Sequence, residues 1–352
     1  MANTYYDGTK LLSLKDINGR KPEIYICTAN RTAGKTTYFG RLCVNKWKAD
    51  ASKFCLIYRY NYELDNVADK FFKDIGALFF PDMFMRSERR GNGVYHELFI
   101  GYNSDPDMTG KPCGYALSLN NADQIKKASH FFSDVSRMLF DEFQSETNHY
   151  CNEEITKFIS VHKSVARGQG EKSRYVPVYM LSNTVTVINP YYVEMGISTR
   201  IRADTKFLRG DGYVLEQGYV PTDEGSIGSG FDRAFSGNKY MAYANESVYL
   251  NDSQAFIEKP QGNSRYICTL KFKGKEYAIR EYPEAGIIFC DDKPDKTFKN
   301  KIAVTTEDHG VNYVTLKANE FFLNTMKYYF NHGCFRFKDL SCKEAVFTAL
   351  SY

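Results

Sequence analysis

No stretch of the 352 residues is apolar over anything near the ~18 residues that a membrane-spanning helix needs; the longest pieces are of the kind Ala77-Leu78-Phe79-Phe80. A membrane partner is therefore not expected. The opening residues have no basic start followed by an apolar core, so no secretory signal is expected, and the chain is read as staying in the compartment that makes it. The nine cysteines, Cys27, Cys43, Cys55, Cys113, Cys151, Cys268, Cys290, Cys334 and Cys342, are odd in number and never form a Cys-x-x-Cys pair. That spacing argues against a structural zinc and for reduced thiols in a cytoplasm. His96, His130, His149, His162, His309 and His332 show no ligand spacing either, and no metal is assigned to them. A surplus of one charge is also missing: 46 Lys plus Arg stand against 42 Asp plus Glu, a net of +4. Coating nucleic acid by bulk charge is excluded, so any such contact is local. There is no internal repeat and no low-complexity tract.

What is present is a long chain, enough for about two domains at ~150 residues each, with an aromatic content of 15%. Tyr and Phe at that level suit strand-rich cores and stacking surfaces alike. The first clear strand, Glu23-Ile24-Tyr25-Ile26-Cys27, runs into a small, polar loop and then into a helical period carrying Phe39, Leu42 and Cys43. Further alternation follows. Residues 54–58 predict a strand and residues 64–75 a helix, and β-patterned runs at 94–100 and 115–119 flank turn-rich sequence and read as a hairpin. Residues 136–143 predict a buried strand ending in two acids, residues 155–166 a helix, and residues 175–181 another strand closing on Ser182-Asn183. This order predicts a largely parallel sheet covered on both faces. The Gly- and Ser-rich residues 221–230 mark a boundary, and the remainder predicts a small α+β domain with strands near 266–270, 277–279 and 287–290 and two closing helices.

The loop Ala29-Asn30-Arg31-Thr32-Ala33-Gly34-Lys35-Thr36 fits Gly-x-x-x-x-Gly-Lys-[Ser/Thr] except at its first position, where alanine stands for glycine. Such a loop, placed between a strand and a helix, turns successive backbone N–H groups and the helix N-terminus into an anion cradle. Residues 29–37, through Thr37, are thus the candidate nucleotide-binding segment. Lys35 reaches the outer phosphates, and the Thr36 hydroxyl holds magnesium. Asp141 at the end of the acidic strand is the second candidate magnesium ligand, and Glu142 the group that polarises the attacking water. Asn183, at the end of the next strand, either contacts the nucleotide or forms a turn. Arg31 either neutralises charge in cis or points away. Arg167, just past a helix, reads as solvated surface on its own residues, or as a basic tip able to reach a neighbouring subunit. Lys126 and Lys127 are either a contact to the phosphate backbone of DNA or an exposed basic face. Glu281, Glu284, Asp291 and Asp292 raise the option of a two-metal nuclease, but their turn-like contexts favour solvated loops.

Taken together, the phosphate loop, the strand Phe140-Asp141-Glu142-Phe143 and the run from Leu181-Ser182-Asn183 to Asn189-Pro190-Tyr191, with a fainter echo at residues 252–259, resemble the DNA-packaging ATPases of phi29-like bacteriophages. The resemblance implies an α/β fold: a P-loop ATPase sheet of the ASCE type with flanking helices at residues 1–221, a linker at 222–250, and at 251–352 a small α+β domain similar to an RNase H-like nuclease but vestigial. It implies ATP and Mg2+ as cofactors, and an enzyme that hydrolyses ATP to pump double-stranded DNA into an empty procapsid. Its partners are then double-stranded DNA, the phage portal or connector and, in some relatives, a packaging RNA. The basic, aromatic stretch with Lys271, Lys273, Lys275 and Tyr277 is compatible with RNA. The implied assembly is a homo-oligomeric ring, five-membered in that family, with Arg167 matching the position that acts in trans. Its place is the host bacterial cytoplasm and, transiently, the procapsid rather than the mature virion. The alternatives are a P-loop NTPase or kinase acting on another substrate, and a procapsid component that does not hydrolyse ATP.

Overall fold

A computed structural model describes residues 5–147, 149–168, 173–201, 205–218, 234, 238 and 256–350. Two compact units result: Met1–Val185 with Arg202–Leu250, and Thr186–Ile201 with Asn251–Tyr352. Residues 186–201, placed in the first domain by the sequence reading, cluster with the second. Apart from residues 234 and 238, the linker at 222–250 lies outside the described residues, as do residues 252–255 of the fainter echo.

In the first unit the chain runs through α1 (Thr9–Ser13), β1 (Ile24–Ala29), α2 (Lys35–Asp50), β2 (Lys53–Tyr58), α3 (Val67–Phe79), β3 (Met83–Arg90), β4 (Tyr95–Tyr102), β5 (Lys111–Ser118), α4 (Ala122–Lys127), β6 (Val135–Phe140), α5 (Glu154–Val165), β7 (Val178–Asn183), β8 (Phe207–Arg209) and β9 (Tyr213–Gly218). The strands form one sheet in the order β3-β4-β5-β2-β6-β7-β1-β9-β8. The six strands from β5 to β9 in that order are parallel, while β4 on β5, β3 on β4 and β8 on β9 are antiparallel. The central strands bury both faces, as in β1, where Tyr25, Ile26 and Cys27 are all buried. That is what the near-continuous apolar runs require of a parallel sheet. The expected hairpin is β4 with β5. The third strand of that layer, β3, carries Arg86, Glu88, Arg89 and Arg90 at the sheet edge, a polar pattern that conceals a strand and protects an edge.

Helix α2 follows from its residues. Phe39, Cys43 and Val44 recur on one face and are fully buried, and Gly40 lies so close to Ile75 of α3 that a β-carbon there would meet its side chain at 2.3 Å. Trp47 and Leu42 cover the margin of the same cluster. Burying Phe39 alone contributes about 2 kcal/mol by area.

The second unit comprises α6 (Pro190–Glu194), β10 (Arg265–Phe272), β11 (Lys275–Tyr282), β12 (Ile287–Asp291), β13 (Lys301–Ala303), β14 (Val314–Thr315), α7 (Glu320–Asn331), β15 (Phe335–Phe337) and α8 (Leu340–Leu350). Its sheet has the order β14-β13-β10-β11-β12-β15. An antiparallel meander, β10 to β12, is extended by β13 parallel to β10 and β14 parallel to β13. The acids that raised the nuclease option are scattered and mostly held by cations. Asp291 pairs with Arg280 at 2.9 Å, Glu281 with Arg265 at 2.5 Å, and Asp292 with Lys338. The central strand β10 carries no carboxylate at all.

Candidate nucleotide site

The site lies where the parallel strands end. The register places Ala29 of β1 directly beside Asn183 of β7, and β6 lies on the far side of β7. The chain leaves β1 through a loop that needs left-handed backbone at Thr32 (φ 63°) and Gly34 (φ 89°), the second being the N-cap of α2. Gly34 adopts that conformation without the cost a β-carbon brings. The first N–H groups of α2 have no intrahelical acceptor, so they point at whatever occupies the loop.

Lys35 is buried. Its ammonium donates to the Asn30 carbonyl at 2.9 Å, the Ala29 carbonyl at 3.3 Å and Asn183 Oδ1 at 3.2 Å. Burial pulls its pKa below the ordinary lysine value, and the negative charge of Asp141 works in the opposite direction. Thr36 Oγ1 donates to Asp141 Oδ2 at 2.6 Å, joining residues 105 positions apart in the chain. The backbone N–H of Glu142 donates to Asp141 Oδ1 at 2.9 Å. Desolvation raises the Asp141 pKa, against the bonds from Thr36 and Glu142 and the charge of Lys35. A divalent cation is what such a carboxyl and hydroxyl pair is built to take, so the residues present fit magnesium.

Glu142 has a left-handed backbone, φ 54°, an uncommon state for a residue with a side chain, and the residue as a whole is exposed. Its pKa is raised by desolvation first and then by Asp141, Glu146 and Glu63, while Arg31 lowers it. That coupling puts the exposed Arg31 within electrostatic reach of Glu142. Among the loop residues, Ala29, Asn30 and Ala33 are buried and form the floor, whereas Thr32 and Thr36 are exposed and Thr37 is half-buried.

Three predicted residues lie elsewhere. Arg167 is exposed after α5, and its neighbour Gly168 packs on Ser133, just before the start of β6. Asp141 follows the other end of that strand, and six residues of β-strand span roughly 20 Å. Arg167 therefore does not enter the site of its own chain. Lys126 and Lys127 are exposed in the last turn of α4, outside the phosphate loop.

Sequence reasoning missed Arg59. Its guanidinium, buried, forms a forked ion pair with buried Glu154 at 2.8 to 3.1 Å. It also donates to the carbonyls of Phe143 at 2.8 Å and Glu142 at 3.4 Å, fixing the backbone that presents the Glu142 carboxyl. A charged residue after a strand and another at a helix start both look like solvated ends, so only the tertiary pairing reveals them. Tyr6 was missed as well: its hydroxyl donates to Glu216 Oε2 of β9 at 2.6 Å, and its N–H to the Ala33 carbonyl at 2.8 Å.

A phosphate loop rising from a central parallel strand, with the acid-bearing strand one strand removed across β7, defines a P-loop ATPase fold of the class with an additional strand between the two motifs. Residues 2–351 match the sequence family described as Podovirus DNA encapsidation protein (Gp16), and the chain belongs to that family. It is similar to the DNA packaging protein of Bacillus phage phi29, 26% identical over 343 residues that cover 95% of this chain and 93% of the relative. Among solved structures, it resembles the bacteriophage Phi-29 viral genome packaging motor assembly with a TM-score of 0.61 and 23% identity, covering 98% of each chain. It also resembles the Phi-28 gp11 DNA packaging motor, with a TM-score of 0.63 at 14% identity, over 99% of this chain and 98% of that one.

Proposed function

We propose that this chain is the ATP-hydrolysing subunit of a homo-oligomeric ring that pumps double-stranded DNA into an empty procapsid. The family and the printed name of the phi29 relative support the packaging half of this reading. One observation carries the enzymatic half: the 2.6 Å hydrogen bond from Thr36 to Asp141 with Glu142 beside it, at the mouth of an anion cradle.

The chemistry assigned to the residues is hydrolysis of the terminal phosphoanhydride, giving ADP and phosphate. The loop N–H groups of residues 29–37 and the Lys35 ammonium bind the phosphate chain and hold its charge. Thr36 and Asp141 hold magnesium, which when bound neutralises charge on the outer phosphates. Glu142 accepts a proton from the attacking water, and its raised pKa makes it a stronger base. Asn183, bonded to Lys35, links the cradle to the next strand. Arg31 offers positive charge from the loop itself. Arg167, remote from its own site, acts on the phosphates bound by a neighbouring subunit.

Five subunits, docking on the portal, contact with a packaging RNA and DNA contacts through Lys126 and Lys127 extend the same reading. So does its place, on the procapsid within the host cytoplasm. The test is steady-state phosphate release from full-length protein with Mg-ATP, with and without duplex DNA and procapsids, beside Glu142→Gln. DNA-stimulated turnover that the variant loses supports the motor. Transfer of phosphate to an acceptor other than water points to a kinase, and ATP binding with no turnover even on procapsids points to a structural component.

A further inference from the structure

The phosphate loop carries a second layer. Residues 5–7 cross it, pinned where the Tyr6 N–H donates to the Ala33 carbonyl at 2.8 Å. Tyr6 itself is buried, its ring stacked on Phe39 with centroids 6.1 Å apart and edge-on to Tyr38 at 5.7 Å, its hydroxyl tied to Glu216 of β9. The turn that follows is held by Asp7 Oδ1, which accepts from the Thr9 N–H at 2.9 Å and the Thr9 hydroxyl at 2.6 Å. These bonds fix the preceding residue. Tyr5 lays the edge of its ring over Gly34, 3.2 Å from where a side chain on residue 34 would begin, yet remains 55% exposed. An aromatic ring is thus held open to solvent at the N-cap of the helix that receives phosphate.

The sheet order says which part of a nucleotide meets it. Asp141 and Glu142 follow β6, two strands to one side of β1, and fix the end where the terminal phosphate is attacked. A bound nucleotide therefore directs its sugar and base the other way, toward β9, where Tyr6 is anchored. We infer that Tyr5 is the base-stacking platform of the nucleotide site, taking the planar face of the nucleobase, and that Tyr6 is the residue that positions it. The inference rests on the phosphate-loop reading and adds the base subsite to it. Stacking on an aromatic face tolerates any base, since every base has a π-face, so Tyr5 supplies affinity more than choice of base.

The experiment compares ATP, ADP, GTP and inorganic tripolyphosphate binding to full-length wild type, Tyr5→Ala, Tyr5→Phe and Lys35→Ala by calorimetry with magnesium. Loss of a stacked base weakens binding roughly five- to 150-fold. Tyr5→Ala is expected to show that loss for all three nucleotides and none for tripolyphosphate, with Tyr5→Phe close to wild type. An equal loss for tripolyphosphate would mean that Tyr5 only shapes the loop, and no loss for the nucleotides would mean that the base lies elsewhere; either overturns the inference alone. Wild type that binds neither nucleotide nor tripolyphosphate, or Lys35→Ala that binds both normally, overturns the phosphate-loop reading and this inference with it.

Discussion

The Lys35 ammonium and Asn183 Oδ1 lie 3.2 Å apart, a bond between the phosphate loop and the strand beside it. Because Ala29 and Asn183 are register partners, this contact follows from the parallel pairing of β1 and β7 rather than from a flexible loop. Asn183→Ala leaves the ammonium with only its carbonyl acceptors. A hydrogen bond to a charged group contributes ~1.5–3 kcal/mol, so phosphate release is expected to fall roughly ten- to 100-fold. ATP affinity is expected to hold within a few fold, since the loop itself is intact. Single-turnover kinetics beside equilibrium binding separate the two. Lys35→Ala, in contrast, is expected to abolish binding.

Arg167 supplies a mixing test. Protein carrying Arg167→Ala is expected to be inactive alone and Lys35→Ala protein likewise, while a mixture regains turnover, because one variant keeps an intact cradle and the other an intact basic tip. Absence of recovery across all mixing ratios would remove the trans assignment and leave Arg167 as surface.

Arg59→Met strands a buried carboxylate. Removing one partner of a buried ion pair costs ~3–5 kcal/mol, so a clear drop in the unfolding midpoint is expected. Arg59→Met combined with Glu154→Leu is expected to restore most of that stability but not turnover, because the carbonyls of Glu142 and Phe143 still lack their donor. Thermal unfolding and phosphate release on the same preparations check both halves.

Thiol chemistry gives a test of the packing. Eight of the nine cysteines are buried, and desolvation pushes Cys27 and Cys43 up to about 12, where almost no thiolate exists at neutral pH. Brief alkylation of native protein at pH 7.5 is expected to label Cys334 first, with the rest reacting only in denaturant. Early labelling of Cys27 by mass spectrometry would contradict the packed floor beneath the phosphate loop.

Much of this was legible in the sequence because it is local. The loop at residues 29–36 announces itself through a strand on one side and a helix on the other, and Asp141 and Glu142 through the apolar run that precedes them. The small sheet of the second unit was only partly visible: β13, β14 and β15 are two or three residues long, too short for any period to show. What stayed hidden depends on distance in the chain. Arg59 meets Glu154 across 95 positions, and Tyr6 meets Glu216 across 210, and neither residue type signals its partner.

The grouping of Thr186–Ile201 with Asn251–Tyr352 bears on how the chain is made and cut. Tyr191 and Tyr192 emerge from the ribosome soon after β7, yet the unit to which they belong is completed only by residues synthesised much later. A fragment ending at residue 221 keeps residues 186–201 and loses the rest of their unit, and a fragment starting at residue 251 lacks them. Clean separation of the two units thus takes three breaks in the chain, after residues 185, 201 and 250, with residues 186–201 carried over to the second unit by a circularly permuted or grafted design.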